Sequence, residues 1–320
     1  MSVKLKNKIK IIYIAGAGRS GSTLLEKLLN QVNEIISIGE INCLWYKTIK
    51  ENLLCACSKK INQCPFWNDV FYEAFGGFKN IELDKIIKLQ LSVSRMRFLP
   101  FLILPSIRTT EYSINLKEYL QLLEKLYESI YKISKKSFIV DSSKVPPHAF
   151  VLCNSPNIEL YVIHLIRDLR AVVFSRLRKK LHQKVDNKKV YMIRKSVPSS
   201  ILEWYSYNLT FFAFRNKFKK YKIVLYEELI KNPKRVLKSI LNWLGINKYS
   251  LDFFKSENIV FFDKYHSVYG NPIRFKNGEV EIKLDDEWRK ALPFYYKSFL
   301  KLISFPMDVL IKLDRTWRKF

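Results

Sequence analysis

Long hydrophobic runs are missing from this 320-residue chain. The longest uncharged apolar stretch, Phe98 to Ile107, contains Pro100 and Pro105. It reaches about half the ~20 residues that a membrane-spanning helix needs. No small-residue cleavage site follows the basic start, Met1-Ser-Val-Lys-Leu-Lys, so neither a signal peptide nor an N-terminal anchor is expected. The reading is of a cytoplasmic protein. Internal repeats and low-complexity tracts are also lacking. Acidic residues are few, 29 against 56 Lys and Arg, which leaves a net charge of +27. Such an excess raises the question of a nucleic-acid partner, yet the lysines are scattered. The denser clusters are Lys179-Lys180, Lys188-Lys189 and Lys217 to Lys222. A soluble basic surface explains them, and an acidic partner, either an anionic polymer or a lipid surface, is the alternative. No nucleic-acid partner is expected.

Cysteine is sparse, and without a secretory route the five thiols should be reduced. Three fall in Cys55-Ala-Cys57-Ser-Lys-Lys-Ile-Asn-Gln-Cys64. Zinc would need a fourth ligand, and none lies nearby in the sequence. The segment therefore reads as a thiol-containing loop, and no metal is expected. What the chain does have is 48% hydrophobic and 14% aromatic residues, which excludes wholesale disorder. A chain of this length can bury one large core or two modest ones.

Glycine is scarce too, but three of the nine fall in Gly16-Ala-Gly-Arg-Ser-Gly21-Ser22-Thr23. This loop follows the apolar run Ile11 to Ala15 and opens an amphipathic stretch, Leu24 to Val32. Strand, glycine-rich turn and helix together present backbone N–H groups and a positive helix end to a phosphate. The position where ATPases of similar spacing carry lysine is Ser22, and the only cation in the loop is Arg19. Without that lysine, the group that reaches β- and γ-phosphates is gone. The loop suits a nucleotide with a shorter 5′ tail.

The rest of the chain alternates strands and helices. Ile35–Ile38, Ser137–Val140, Tyr161–Ile166 and Lys222–Leu229 read as strands or strand exits. Residues 44–135 interrupt the alternation with a helical insertion, including an apolar helical face from Leu116 to Ile133. Asp168 is placed to cap one helix, and Asn232-Pro233 and Gly245 bound another. Leu300 to Phe320 reads as a C-terminal helix. The expected architecture is α/β: a P-loop-type three-layer fold with a central parallel sheet and a helical insertion, forming one domain. Ligands of parallel sheets bind beyond the carboxyl ends of the strands. Arg19, Glu40, Ser143-Lys144, Arg167 and Tyr226 all stand at such ends.

Four segments in order resemble the sulfotransferase family, in its bacterial, carbohydrate-sulfotransferase-like branch. They are the Gly16 loop, Val140-Asp-Ser-Ser-Lys144, Leu160 to Arg176, and His266-Ser-Val-Tyr-Gly-Asn-Pro-Ile-Arg274. The resemblance runs from residue 11 to about residue 292. It implies a sulfuryl donor, 3′-phosphoadenosine 5′-phosphosulfate (PAPS), and an acceptor hydroxyl, with a glycan or glycolipid favoured. It also implies roles. Arg19, Ser20, Gly21, Ser22 and Thr23 would hold the 5′-phosphosulfate, and Arg167 with Ser175 the 3′-phosphate. Tyr226 would lie near the adenine, and Arg274 would add a second cation. Glu40 would be the base, with His148 as its rival, and Lys144 would steady the leaving oxygen. The chemistry calls for no metal. A kinase on a related loop and a basic polyanion-binding module are the competing classes. Related proteins carry a similar cysteine segment, which implies a local structural feature.

Overall fold

A computed structural model describes residues 8–185 and 188–317. Its strands are β1 (Ile9–Ala15), β2 (Ile35–Gly39), β3 (Phe138–Lys144), β4 (Ile158–Ile166), β5 (Leu181–Val185), β6 (Lys188–Tyr191), β7 (Lys220–Leu225), β8 (Ile259–Phe262) and β9 (Gly278–Glu281). Five of them form one parallel sheet in the order β2-β3-β1-β4-β7. β5–β6 and β8–β9 are separate antiparallel hairpins.

The central strands are apolar on both faces because both faces are covered. Along β1, Ile11, Tyr13 and Ala15 enter one core, while Ile12 and Ile14 enter the other. The first core is roofed by α2 (Pro65–Phe75), α3 (Leu83–Val93), α4 (Leu99–Ile103), α5 (Thr110–Ser134) and α6 (Pro146–Cys153). Thus the segment between β2 and β3 is helical, as its Leu116 to Ile133 periodicity predicts. The second core packs α1 (Ser22–Asn30), together with α9 (Tyr226–Lys231) and α10 (Pro233–Leu244), against the opposite face. At the edge, α7 (Leu169–Leu177) and α8 (Val197–Ala213) pack with the C-terminal helix, Phe294–Trp317.

The Asp168 side chain caps α7 by accepting from Arg170 N at 2.8 Å. Gly245, with φ of 82°, ends α10. Three sequence expectations shift. β3 runs on past Val140 to Lys144, β7 stops at Leu225 and Tyr226 begins a helix, and the C-terminal helix starts at Phe294. Residues 318–320 of the expected C-terminal helix and the basic start, residues 1–7, lie outside the described residues. Among the described residues, no helix is long and apolar enough to cross a membrane.

Candidate active site

All five polar groups expected at strand ends stand at one rim, because every strand of the central sheet points the same way. The loop after β1 is shaped by its glycines. A Cβ on Gly16 would meet Leu165 O at 2.3 Å, and one on Gly21 would strike the Tyr226 ring at 2.5 Å. Both glycines have positive φ, so no other residue fits without displacing backbone or ring. Arg19 is also left-handed, with φ of 75°, a conformation tolerated where surrounding contacts hold it. Gly21 is the N-cap of α1 without any side-chain cap. The first amides of the helix therefore face the loop concavity. Ser20, Ser22 and Thr23 are buried beside it, and Ser20 Oγ donates to Ala17 O at 2.6 Å.

Two register breaks bring Glu40 and Lys144 together. Tyr13 pairs with Asp141 and Ala15 with Lys144, so β3 carries one residue more than β1 over that step. Ser37 pairs with Val140 and Gly39 with Asp141, which gives β2 an extra residue against β3. Such bulges re-aim side chains at strand ends. Lys144 adopts φ of 71°. Its Nζ lies 2.6 Å from Glu40 Oε1 and donates to Ser142 O at 2.8 Å. A Cβ on Gly270 would meet Thr23 Oγ1 at 3.3 Å and Glu40 Oε1 at 3.7 Å, and Asn271 N donates to Thr23 Oγ1 at 3.1 Å. Glu40 thus stands between the phosphate loop and the 266–274 segment.

The opposite wall is built from β4 and α7. Arg167 ends β4, where its Nη1 donates to Arg19 O at 3.0 Å and its Nη2 to Asp285 O at 2.9 Å. Its guanidinium lies 4.2 Å over the Tyr226 ring. Ser175 is buried on α7, two turns beyond the cap. Arg176 reaches the loop from the same helix, donating to Gly18 O at 3.4 Å and pairing with Glu203. Burial, followed by the charge of Arg176, lowers the Arg19 guanidinium. Burial, then Arg19 and Arg178, lowers Lys180. Arg19, Arg167, Arg176, Arg178 and Lys180 thus crowd one loop against the carboxylates of Glu203, Asp285 and Glu287, and the excess of positive charge favours an anion there.

Two expected residues, His148 and Arg274, are placed differently. His148 is fully buried, with Nε2 3.1 Å from Asp141 Oδ2. Asp141 also accepts from Tyr127 OH at 2.6 Å and Ser143 N at 2.8 Å. Burial alone would raise that carboxyl, but hydrogen bonds from His148, Ser143 and Tyr127 hold it below the ordinary range. His148 is therefore a core partner of a buried carboxylate, because Pro146 starts α6 and turns its first helical turn inward. Arg274 is also fully buried, donating to Val268 O, Leu54 O and Gln183 Oε1 at 2.9–3.0 Å. Both Nη groups tie together the segments at residues 54, 183 and 268, and the side chain is wholly enclosed, which makes it a strut between them. Tyr226 joins Gly21 to Arg167 as a buried spacer.

The structure also shows groups that the sequence reading passed over. Arg176 follows Ser175 directly and Arg178 comes two residues later, so their spacing was a usable signal. Tyr46 and Tyr269 are half-buried, and burial and the nearby charges of Cys43 and Glu40 push both phenols up. The largest surprise is Glu26, one turn into α1 and fully buried. It accepts from Tyr265 OH at 2.9 Å, from Ser267 Oγ at 2.8 Å and from Ser142 Oγ.

Burial pushes Glu26 up to about 7 from 4.5. The native state then holds this proton more tightly than the unfolded chain does. Stability on this account falls as pH rises through about 4.5 to about 7. Burial lowers His164 and His182 to about 4, which acts in the opposite sense over the same window. The informative quantity is thus the difference between Glu26→Gln and the parent. Between about pH 5 and about pH 8 the variant should gain on the order of 2–3 kcal/mol over the parent in urea unfolding. Parallel pH profiles would contradict the assignment.

A cavity of about 220 Å³ lies elsewhere, lined by Arg108, Leu116, Leu120, Glu124 and Asn154. It sits near the start of β4, at the end of the sheet away from the rim, and has no part in this site.

A profile of the sulfotransferase domain family matches residues 10–258. Among solved structures, the chain is similar to the sulfotransferase domain from the curacin biosynthetic pathway. The identity is 17% over 95% of this chain and 99% of that one, with a TM-score of 0.50. It is also similar to the sulfotransferase domain from the Synechococcus PCC 7002 olefin synthase, at 19% identity over 92% of each chain and a TM-score of 0.48. At these identities the likeness concerns the fold alone. No match was found among curated protein sequences. The family profile covers most of the chain, from β1 past the end of α10, and the chain belongs to the sulfotransferase domain family.

Proposed function

We propose that the protein moves the sulfuryl group of PAPS to an acceptor hydroxyl, with Glu40 as base and Lys144 as the cation at the leaving oxygen. The observation that carries this reading is the Glu40–Lys144 pair, 2.6 Å apart beside the phosphate loop. Arg19, Ser20, Gly21, Ser22 and Thr23 hold the 5′-phosphosulfate, while Arg167 and Ser175 take the 3′-phosphate. The acceptor oxygen attacks sulfur in line, and its proton passes to Glu40. The bond from sulfur to the 5′-phosphate oxygen breaks, and Lys144 shifts from Glu40 to that oxygen as charge builds on it. The products are a sulfate ester and adenosine 3′,5′-bisphosphate. The reaction itself uses no metal.

The half-buried rings of Tyr46 and Tyr269 beside Glu40 support an acceptor with both a hydroxyl and an apolar face, such as a glycan or glycolipid. Contact with an anionic lipid surface belongs to the same reading, supported by Phe299, Leu302 and Phe305 exposed on the C-terminal helix.

The test is nucleotide preference. Losing the charge-assisted contacts to a 3′-phosphate costs on the order of 2–4 kcal/mol. Calorimetry should therefore show adenosine 3′,5′-bisphosphate binding tens- to several-hundred-fold tighter than 5′-AMP. Arg167→Ala should erase that preference with the fold retained. Equal binding of the two nucleotides by the parent protein would overturn the assignment.

A further inference from the structure

The cysteine segment acquires a fourth ligand in three dimensions. Cys55, Cys57, Cys64 and His266 each direct one donor atom to a common point, with all four atoms within 4.8 Å of one another. Cys57 Sγ and Cys55 Sγ lie 3.6 and 3.7 Å from Cys64 Sγ. His266 Nδ1 is 3.2 Å from Cys64 Sγ and 3.9 Å from Cys55 Sγ. A tetrahedral ion with zinc–sulfur bonds of about 2.3 Å and a zinc–nitrogen bond of about 2.0 Å requires sulfur–sulfur edges of about 3.8 Å and sulfur–nitrogen edges of about 3.6 Å. The two sulfur–sulfur edges fall just short of that value, and the two sulfur–nitrogen edges straddle theirs. We infer that Cys55, Cys57, Cys64 and His266 form a closed, structural zinc site.

The surrounding chain is organised to hold these donors. Leu54 bridges Lys60, and Cys55 N donates to Lys59 O at 2.8 Å, with Ser58 left-handed at the tip. This tight knuckle presents Cys55 and Cys57 on one side. Cys64 is the N-cap of α2, so it stands at the fixed start of that helix. His266 stacks on Phe66 at 5.1 Å between centroids, and Trp67 Nε1 donates to His266 O at 2.8 Å. Three thiolates and an imidazole with no open position suit a structural ion, and softness favours zinc over magnesium or calcium.

The site joins two distant parts of the chain. Ala56 N donates to Ser267 O at 2.9 Å, and Val268 N donates to Ile38 O at 2.9 Å. The ion would staple the 55–64 knuckle to the segment lying on Gly39, next to Glu40. It acts on the geometry of that rim and takes no part in the transfer, so the inference stands apart from the proposed reaction.

The experiment is metal analysis of the full chain, purified under reductant and desalted. One zinc per chain is expected from elemental analysis. Replacement by Co²⁺ should give the visible bands of a tetrahedral ion and a thiolate charge-transfer band in the near ultraviolet. Cys64→Ala should abolish binding. His266→Ala should weaken zinc at least ~10-fold and alter the cobalt spectrum, since even outer partners of a ligand matter on that scale. Prolonged chelation should lower the melting temperature, and added zinc should restore it. The spectrum of the parent protein decides the matter should the variants fail to fold. Absence of zinc together with no uptake by the reduced protein would overturn the inference, as would a disulfide within the cluster or stoichiometric iron in zinc's place.

Discussion

Glu40→Gln should lower kcat by ~10²–10⁴-fold, the usual scale for loss of a general base. Size and hydrogen bonding are kept, so binding of adenosine 3′,5′-bisphosphate should change little. His148→Ala should behave differently. It removes a donor from the buried Asp141 carboxylate, so its main effect is on folding, on the order of 3 kcal/mol by denaturant titration. An inactive but fully stable His148→Ala enzyme, beside a nearly unaffected Glu40→Gln enzyme, would exchange the two roles.

Lys144→Ala carries the second large effect. The ammonium is nine-tenths buried and fixed by Glu40 and Ser142 O, so in the proposed reaction it is preorganised for the leaving oxygen. Removing one such electrostatic contact lowers kcat by ~10²–10³-fold. The proposed reaction puts both residues on one transition state, so the Glu40→Gln, Lys144→Ala double variant should lose far less than the product of the single effects. Steady-state rates with saturating donor measure all three. Full multiplicativity would mean that the two residues act independently and that the 2.6 Å pair has no shared role in the transition state.

The parts of the site legible in sequence were those encoded locally. A glycine-rich turn after an apolar run, an aspartate before a helix and a serine two turns later need only neighbouring residues to be read. The rim could be inferred as well, since parallel strands bring their carboxyl ends together whatever the exact register. What the sequence concealed depends on pairing across the fold. The bulges that turn Lys144 toward Glu40 exist only as register breaks between β3 and its neighbours. Arg274 looked like a cation for solvent or nucleotide, since arginine is almost never buried without partners. Its partners come from residues 54, 183 and 268. His266 is 202 residues from Cys64, so spacing rules for metal ligands had no way to reach it. Glu26 lies beside the equally buried Lys27 on a helix enclosed from Ser22 to Leu29, and only the hydroxyls converging on it show why a carboxylate is tolerated there.

Transfer of label from sulfur-labelled PAPS tests the central claim most directly. The purified protein is incubated with hydroxyl-bearing glycans and glycolipids, with Mg²⁺ omitted and a brief EDTA treatment that leaves tightly held zinc in place. Label should appear in a sulfate ester, stoichiometric with adenosine 3′,5′-bisphosphate. No transfer from PAPS, together with phosphate transfer from ATP that requires Mg²⁺, would contradict the account.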